Sequence, residues 1–366
     1  MQYFAIGGLE RMVERLSVAC RRRGVDSLVI AYLGDGPIRG ALERQGVQTV
    51  LLPGAAGLDP RLSWRIRAIL MREGVDVLHT HHLGPFVYGA PAALLAGCRH
   101  VHTEHSHELY DTARRRLLGA MMSPLAEVVA VTSEVSEYRR RFPGRCSVIP
   151  NGVVVPSDDP LRRERARDQL GLDSSAFVVG CAARLSPEKN HAVLLEAFAR
   201  LRRQEPRAVL LCAGEGPLGD QLRALTQEAN LESHVRWLGA IDDMSAFYAA
   251  LDVCTLSSDR EGLPLSLLEA MSFGVPVVAT EVGGIPELLD DDAGIVVPPG
   301  DPNTLVEALS SLASNPGVAR SLGSRGAARI RETYSIERTA DRYVELYGAL
   351  AKRRVQPSDI GSVPCL

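Results

Sequence analysis

Twelve short apolar runs, rich in valine and isoleucine and separated by segments of helical period, limit what this chain can fold into more than any other feature. They lie at 27–31, 49–52, 75–80, 100–103, 128–132 and 147–149 in the first half, and at 177–182, 209–213, 235–238, 253–256, 276–279 and 293–297 in the second. A run of this length that is apolar throughout, rather than at every second position, suits a strand buried on both faces. Such strands alternating with amphipathic helices specify parallel sheets covered by helices on both sides. The expected class is α/β, and 366 residues suffice for two doubly wound, Rossmann-like domains.

Both periodicities break at Ile149-Pro150-Asn151-Gly152, a turn signal followed by Pro156, Ser157, Asp158, Asp159 and Pro160. The expected organisation is an N-terminal domain over 1–155, a C-terminal domain over 156–335, a last helix over 336–352 and a fraying tail over 353–366. The longest apolar runs, 208–213 and 275–279, fall well short of the roughly 20 residues that a membrane span needs. The first eight residues carry neither the basic region nor the apolar stretch of an export signal. A net charge of −3 gives no general attraction to nucleic acid. The seven cysteines, at 20, 98, 146, 181, 212, 254 and 365, include no CxxC pair and read as reduced packing residues of a cytoplasmic protein.

The stretch 258–280, SDREGLPLSLLEAMSFGVPVVAT, carries the most chemistry. A strand ends in a loop holding Glu261, Pro264 suits a first helical position, and Glu269 lies on the helix that follows. Two carboxylates thus straddle a strand-to-helix turn at the carboxyl end of a parallel sheet. Doubly wound folds bind ligands there, and a helix start offers free N–H groups to a phosphate. A second loop, Ala183-Arg184-Leu185-Ser186-Pro187-Glu188-Lys189-Asn190, also follows a strand and opens a helix. Its two cations, Arg184 and Lys189, suit a diphosphate and could stabilise its departure without a metal. Asp242-Asp243 and Asp290 to Asp292 read as loop or cap residues, not as a divalent-ion site.

These residues make the chain resemble the family 4 retaining glycosyltransferases of group 1, which have the GT-B fold. Glu261 and Glu269 match the family's E-x7-E motif, and Arg184 with Lys189 match its donor-phosphate pair. Gly7-Gly8, Ile149-Pro150-Asn151-Gly152, Gly214-Glu215-Gly216-Pro217 and Gly283-Gly284-Ile285-Pro286-Glu287 match as well, so the likeness runs over about residues 7 to 350. It implies two Rossmann-like domains facing a central cleft, with the last helix crossing back to the N-terminal domain. It implies a retaining transferase moving a sugar from a nucleotide-diphosphate sugar to a glycan or lipid-linked acceptor, as in bacterial polysaccharide or glycolipid assembly. No metal or other cofactor is expected, because the nucleotide sugar is itself the substrate. Glu269 would bind the donor's ribose and Glu261 its sugar, helped by backbone groups of Gly262, Leu263, Pro264 and Leu265. Arg184 and Lys189 would hold the diphosphate, with Gly7, Gly8, Gly214 and Gly216 as further donor contacts. Within His102-Thr103-Glu104-His105-Ser106-His107, His105 aligns with the family's active-site histidine and would act near an oxocarbenium-like centre.

One departure from the family concerns the start, where only Met1 to Ile6 precede Gly7 and the first strand reads as clipped. The expectation is that a longer chain supplies this strand upstream. Other readings compete with this one. The crowd of histidines at 79, 81, 82, 100, 102, 105 and 107 raises a zinc site, against which the spacing mixes strand faces and no cysteine cluster accompanies it. Gly214-Glu215-Gly216-Pro217-Leu218-Gly219 matches a dinucleotide fingerprint, but the next strand, 235–238, ends in no acid, which weakens an NAD-dependent oxidoreductase. A catalytically impaired GT-B binding protein and a nucleotide-sugar epimerase are the remaining alternatives. The runs Arg114-Arg115-Arg116-Leu117-Leu118 and Arg139-Arg140-Arg141-Phe142 read as solvated helix faces, with peripheral docking at the inner face of the cell membrane as the alternative.

Overall fold

The computed structural model describes residues 1–52, 54, 59–106 and 112–352. His107, Cys365 and the tail from 353 onward, all named above, lie outside the described residues. The chain divides into two compact units, one made of Met1–Asn151 together with the segment from Ile336 onward, the other of Gly152–Ser335.

The first unit runs α1 (Gly8–Arg21), β1 (Leu28–Ala31), α2 (Pro37–Arg44), β2 (Gln48–Leu51), α3 (Arg61–Arg72), β3 (Val77–His81), α4 (Leu83–Ala96), β4 (Arg99–Glu104), α5 (Ala113–Met122), β5 (Glu127–Ala130), α6 (Ser133–Arg139) and β6 (Cys146–Val148). The second runs α7 (Arg162–Gln169), β7 (Phe177–Ala182), α8 (His191–Gln204), β8 (Ala208–Ala213), α9 (Gly219–Glu228), β9 (Val235–Gly239), α10 (Ser245–Ala250), β10 (Val253–Leu256), α11 (Leu265–Ser272), β11 (Val277–Thr280), α12 (Ile285–Leu288), β12 (Ile295–Val297), α13 (Pro302–Ser314) and α14 (Pro316–Arg329). The last helix, α15 (Ile336–Ala351), belongs to the first unit.

Every apolar run read as a strand forms one, within two residues at each end, and all pairings are parallel. In the second unit the order is β12-β11-β10-β7-β8-β9. The chain builds outward from β7 in one direction through β8 and β9, then returns to lay β10, β11 and β12 on the other side. The point where the direction reverses lies between β7 and β10. Every residue of β10 and β11 is buried, which is why these runs show no alternation of polar and apolar positions.

The first unit holds two ladders, β1-β2 and β3-β4-β5-β6. The end of a strand expected at Tyr3 to Ile6 appears only as a single bridge from Tyr3 to Gly34. Residues 1–4 lie beside β1: the terminal amine of Met1 donates to Ile30 O at 2.8 Å, Leu33 N donates to Gln2 O at 2.8 Å, and Phe4 N donates to Gly34 O at 3.0 Å. Helix α15 docks on this unit through polar bonds. Arg23 reaches Asp341 at 2.5 Å, and the Thr339 hydroxyl donates to Pro150 O at 3.1 Å.

The structure corrects two local readings. Pro264 is the residue before α11, with φ −71 and ψ 114, rather than its first residue; its extended ψ ends the loop, and the helix starts at Leu265. Arg139 is not on a solvated face. It is 3% exposed, donates to Ser123 Oγ at 2.5 Å and lies 4.6 Å over the Phe142 ring, because a guanidinium with an apolar stem can be buried where it finds acceptors and a π face.

Candidate functional site

In the second unit the loops leaving β7 and β10 meet at the point where strand order reverses, and backbone and side-chain bonds join them. Asp259 N donates to Glu188 O at 2.9 Å, and the Ser257 hydroxyl donates to Asn190 O at 2.9 Å. Asn190 adopts the left-handed conformation, φ 46 and ψ 47, and its amide donates to Asp259 Oδ1 at 2.9 Å. The left-handed turn, which asparagine tolerates well, sends the chain from the loop into α8 and leaves Lys189 facing the next loop.

Lys189 Nζ consequently lies 2.6 Å from Glu261 Oε1. The Ser258 hydroxyl donates to the same carboxylate oxygen at 2.7 Å. The Glu261 side chain is 6% exposed, and a buried carboxylate robbed of its cation would cost about 3–5 kcal/mol. Arg184, in the same loop as Lys189, is exposed. Glu269, on the first turns of α11, receives the hydroxyl of buried Tyr248 on its Oε2 at 2.8 Å. Leu263 and Pro264 are buried between the two acids, and Leu265 and Gly262 are half-buried.

Two glycine loops back this arrangement. Gly214 has φ +130, and a Cβ there would sit 2.1 Å from Ala183 O; at Gly216 it would sit 2.3 Å from Leu185 O. Gly283 has φ +57, and its Cβ would sit 2.1 Å from Glu261 O. These glycines let the loops after β8 and β11 press against the loops that carry Arg184, Lys189 and Glu261. Gly284 N donates to Gly262 O at 2.8 Å, and Leu185 N donates to Glu215 O at 3.0 Å. The glycine-rich match of 214–219 therefore has a packing cause that needs no dinucleotide.

In the first unit Gly7 is the residue before α1, at an extended φ of −164, and Gly8 opens the helix. His105 follows β4, and its Nε2 lies 3.1 Å from His81 Nδ1. Burial holds His79, His81, His102 and His105 well below the ordinary imidazole value and lowers His100 to about 3, so these rings are neutral. His82 has a strained φ of 66 at the turn into α4, with its ring 6.1 Å from that of His105. Among the described residues no group of three or more His, Cys, Asp or Glu side chains is placed to hold a metal ion. The six described cysteines are free, and burial pushes the Cys181 thiol up to about 12.

Residues 6–155 match the family model for Glycosyltransferase Family 4, and residues 162–329 match that for Glycosyl transferases group 1. A Bacillus subtilis (strain 168) protein, EpsD, named as a glycosyltransferase, is 31% identical over 285 residues, covering 74% of this chain and 70% of that protein. The chain belongs to the family 4, group 1 glycosyltransferases. Another member, the D-inositol 3-phosphate glycosyltransferase of Saccharomonospora viridis, is 29% identical over 391 residues, covering 93% of this chain and 89% of its own. The crystal structure of Anabaena HepE in complex with UDP-glucose superposes with a TM-score of 0.83 at 23% identity, over 95% of this chain and 98% of that one. The fold is thus GT-B, built from two Rossmann-like domains, and the activity is glycosyl transfer. Among the described residues no helix is long and apolar enough to cross a membrane.

Sequence reasoning missed Ser258 and Tyr248, the partners of the two acids. Ser258 had a weak signal, three residues before Glu261 in the loop already singled out. Tyr248 had none, since it sits 21 residues before Glu269 on a different helix.

Proposed function

We propose that this glycosyltransferase takes its sugar from a nucleoside diphosphate donor bound at the β7 and β10 loops and transfers it, with retention of configuration, to a glycan or lipid-linked acceptor. The observation that carries the reading is the Lys189–Glu261 pair where strand order reverses in the second unit, with Arg184 in the first of the two loops and Glu269 on the helix that the second loop opens. Arg184 and Lys189 bind the diphosphate and take up the charge that develops as the bond from the sugar's anomeric carbon to phosphate breaks. Glu269, oriented by Tyr248, accepts from the ribose hydroxyls. Glu261 accepts from the donor sugar. The Lys189–Glu261 ion pair keeps both groups paired before the donor arrives, and binding exchanges each partner for one on the donor. His105 and the Gly7-Gly8 pair take their roles from the family motifs. No divalent metal is needed in this scheme, because two fixed cations and the start of α11 face the leaving group.

A thermal-shift screen against UDP, GDP, ADP and their sugars tests the reading. A ligand at 100 times its Kd stabilises by about 2.7 kcal/mol, so the right nucleotide gives a clear upward shift that R184A with K189A removes. No shift with any nucleoside diphosphate would reject the site. For a lipid-linked acceptor, Leu117 and Met121, both more than half exposed, stand on α5 with Arg114, Arg115 and Arg116 and support peripheral contact with anionic lipid. Co-sedimentation with anionic but not zwitterionic vesicles, lost in L117S/M121S, is the expected result.

A further inference from the structure

Strand alternation sorts the histidines of the first unit into two sets with different surroundings. On one face, His100 Nε2 and His102 Nδ1 share the Thr80 hydroxyl at 2.8 and 3.0 Å, and His102 stacks on Phe86 of α4 with the rings 2° from parallel. These rings are packed in the core and each bonds the Thr80 hydroxyl through one nitrogen. The other face holds His79, His81 and Thr103, and it is covered by tyrosines of α15. His79 Nδ1 lies 2.6 Å from the Tyr347 hydroxyl, and its Nε2 lies 2.7 Å from Thr103 Oγ1. Thr103 Oγ1 in turn lies 2.7 Å from the Tyr343 hydroxyl.

This chain of bonds closes with a neutral imidazole in either direction. Tyr347 can donate to His79, His79 to Thr103 and Thr103 to Tyr343, or every donation can run the other way. Either way the His79 ring is pinned at both nitrogens. Its ring centroid lies 4.2 Å from that of His81, which it packs against, and His81 Nδ1 makes the 3.1 Å contact with His105 Nε2. Two neutral imidazoles sharing one hydrogen bond share one proton. Whichever nitrogen carries it, the proton state of His105 Nδ1 follows: a donor if His81 donates, an acceptor if His105 donates. A ring free to flip would present either character.

We propose that His81 is a positioning residue for His105, holding its ring orientation and tautomer through the Nδ1–Nε2 hydrogen bond, with Tyr347 and Thr103 steadying His81 through His79. The proposal rests on the assignment of His105 to the transfer reaction made above. The competing explanation is that His81 only fills space between β3 and the residues after β4.

Asparagine can place an amide near the position of Nδ1, whereas leucine keeps comparable bulk with no polar group, so H81N and H81L separate the two explanations. The measurements are donor and acceptor kinetics, and nitrogen chemical shifts of His105 in the full-length protein labelled with 15N-histidine. Wild type and H81N are expected to show one His105 tautomer, and H81L an exchanging mixture. In H81L kcat falls by about 10- to 100-fold, the usual cost of removing a group that orients a functional imidazole, with the donor KM unchanged; H81N recovers most of that loss. Y347F gives a smaller loss of the same kind. Unaltered His105 shifts in H81L, or equal losses in H81N and H81L, would overturn the proposal. An H105A enzyme with full turnover would instead overturn the role given to His105, while the nitrogen shifts would still decide what His81 does.

Discussion

Acidification from pH 7.5 to 5.5 should destabilise the first unit selectively, because burial lowers its imidazoles below the value they have in the unfolded chain. An unfolded histidine titrates near 6.5, and His100 is lowered to about 3 by burial. Above pH 6.5 both states are neutral and the ring contributes nothing to the pH dependence. Below it the unfolded chain binds a proton that the folded chain refuses, so stability falls steadily as pH drops toward the folded value. At pH 5.5 this amounts to about 1.4 kcal/mol for each such ring. His81 and His102 are as buried as His100, and burial holds them well below the ordinary imidazole value too, so three rings that refuse a proton at pH 5.5 together cost about 4 kcal/mol. His79 and His105 are lowered by burial too and push in the same direction. The second unit has His191, lowered to about 4, as its one well-buried histidine among the described residues.

For a unit of this size 1 kcal/mol moves Tm by about 2–4 °C, so the transition of the first unit should fall by about 8–16 °C between pH 7.5 and 5.5. Differential scanning calorimetry over that range is the assay, with the second unit's transition marked by its upward shift in saturating nucleoside diphosphate. A first-unit transition that moves by less than about 3 °C, or that moves no more than the second, would refute the reasoning, since the rings would then be taking up protons in the folded state.

Three further outcomes follow from the proposed donor site. E269A should raise the donor Kd by about tenfold with a modest effect on turnover, while E261A chiefly lowers kcat, because a ribose contact is equal in ground and transition states and a contact to the reacting sugar is not; equal effects in titration calorimetry and kinetics would contradict the split. Transfer should persist in EDTA, and activity lost on chelation and restored by magnesium or manganese would show that Arg184 and Lys189 do not suffice for the leaving group. G214A should destabilise by about 2 kcal/mol or more in urea unfolding and impair donor binding, since its Cβ would meet Ala183 O at 2.1 Å on a backbone of φ +130; a variant with wild-type stability would remove the packing role given to that glycine.

The twelve strands, their class and the candidate ligand loops were legible from residue pattern, because a strand buried on both faces writes an unbroken apolar run and the loop at its carboxyl end is where this class binds ligands. So were the candidate residues Arg184, Lys189, Glu261 and Glu269, whose spacing within each loop-and-helix segment is local. What no local pattern contains is which strands lie side by side. Lys189 and Glu261 are 72 positions apart and meet because β10 returns to pair with β7 rather than extending the sheet beyond β9. The same holds for the hydroxyl that orients Glu269, which comes from Tyr248 on a neighbouring helix. Arg139 read as one of three exposed arginines, and only its surroundings, Ser123 and Phe142, show it buried. Alternation along β3 and β4 was enough to say that the histidines fall on two faces. Which face meets α4 and which meets the tyrosines of α15, more than 200 residues later, was decided by tertiary packing, because the partners that satisfy a buried imidazole are set by what folds against it.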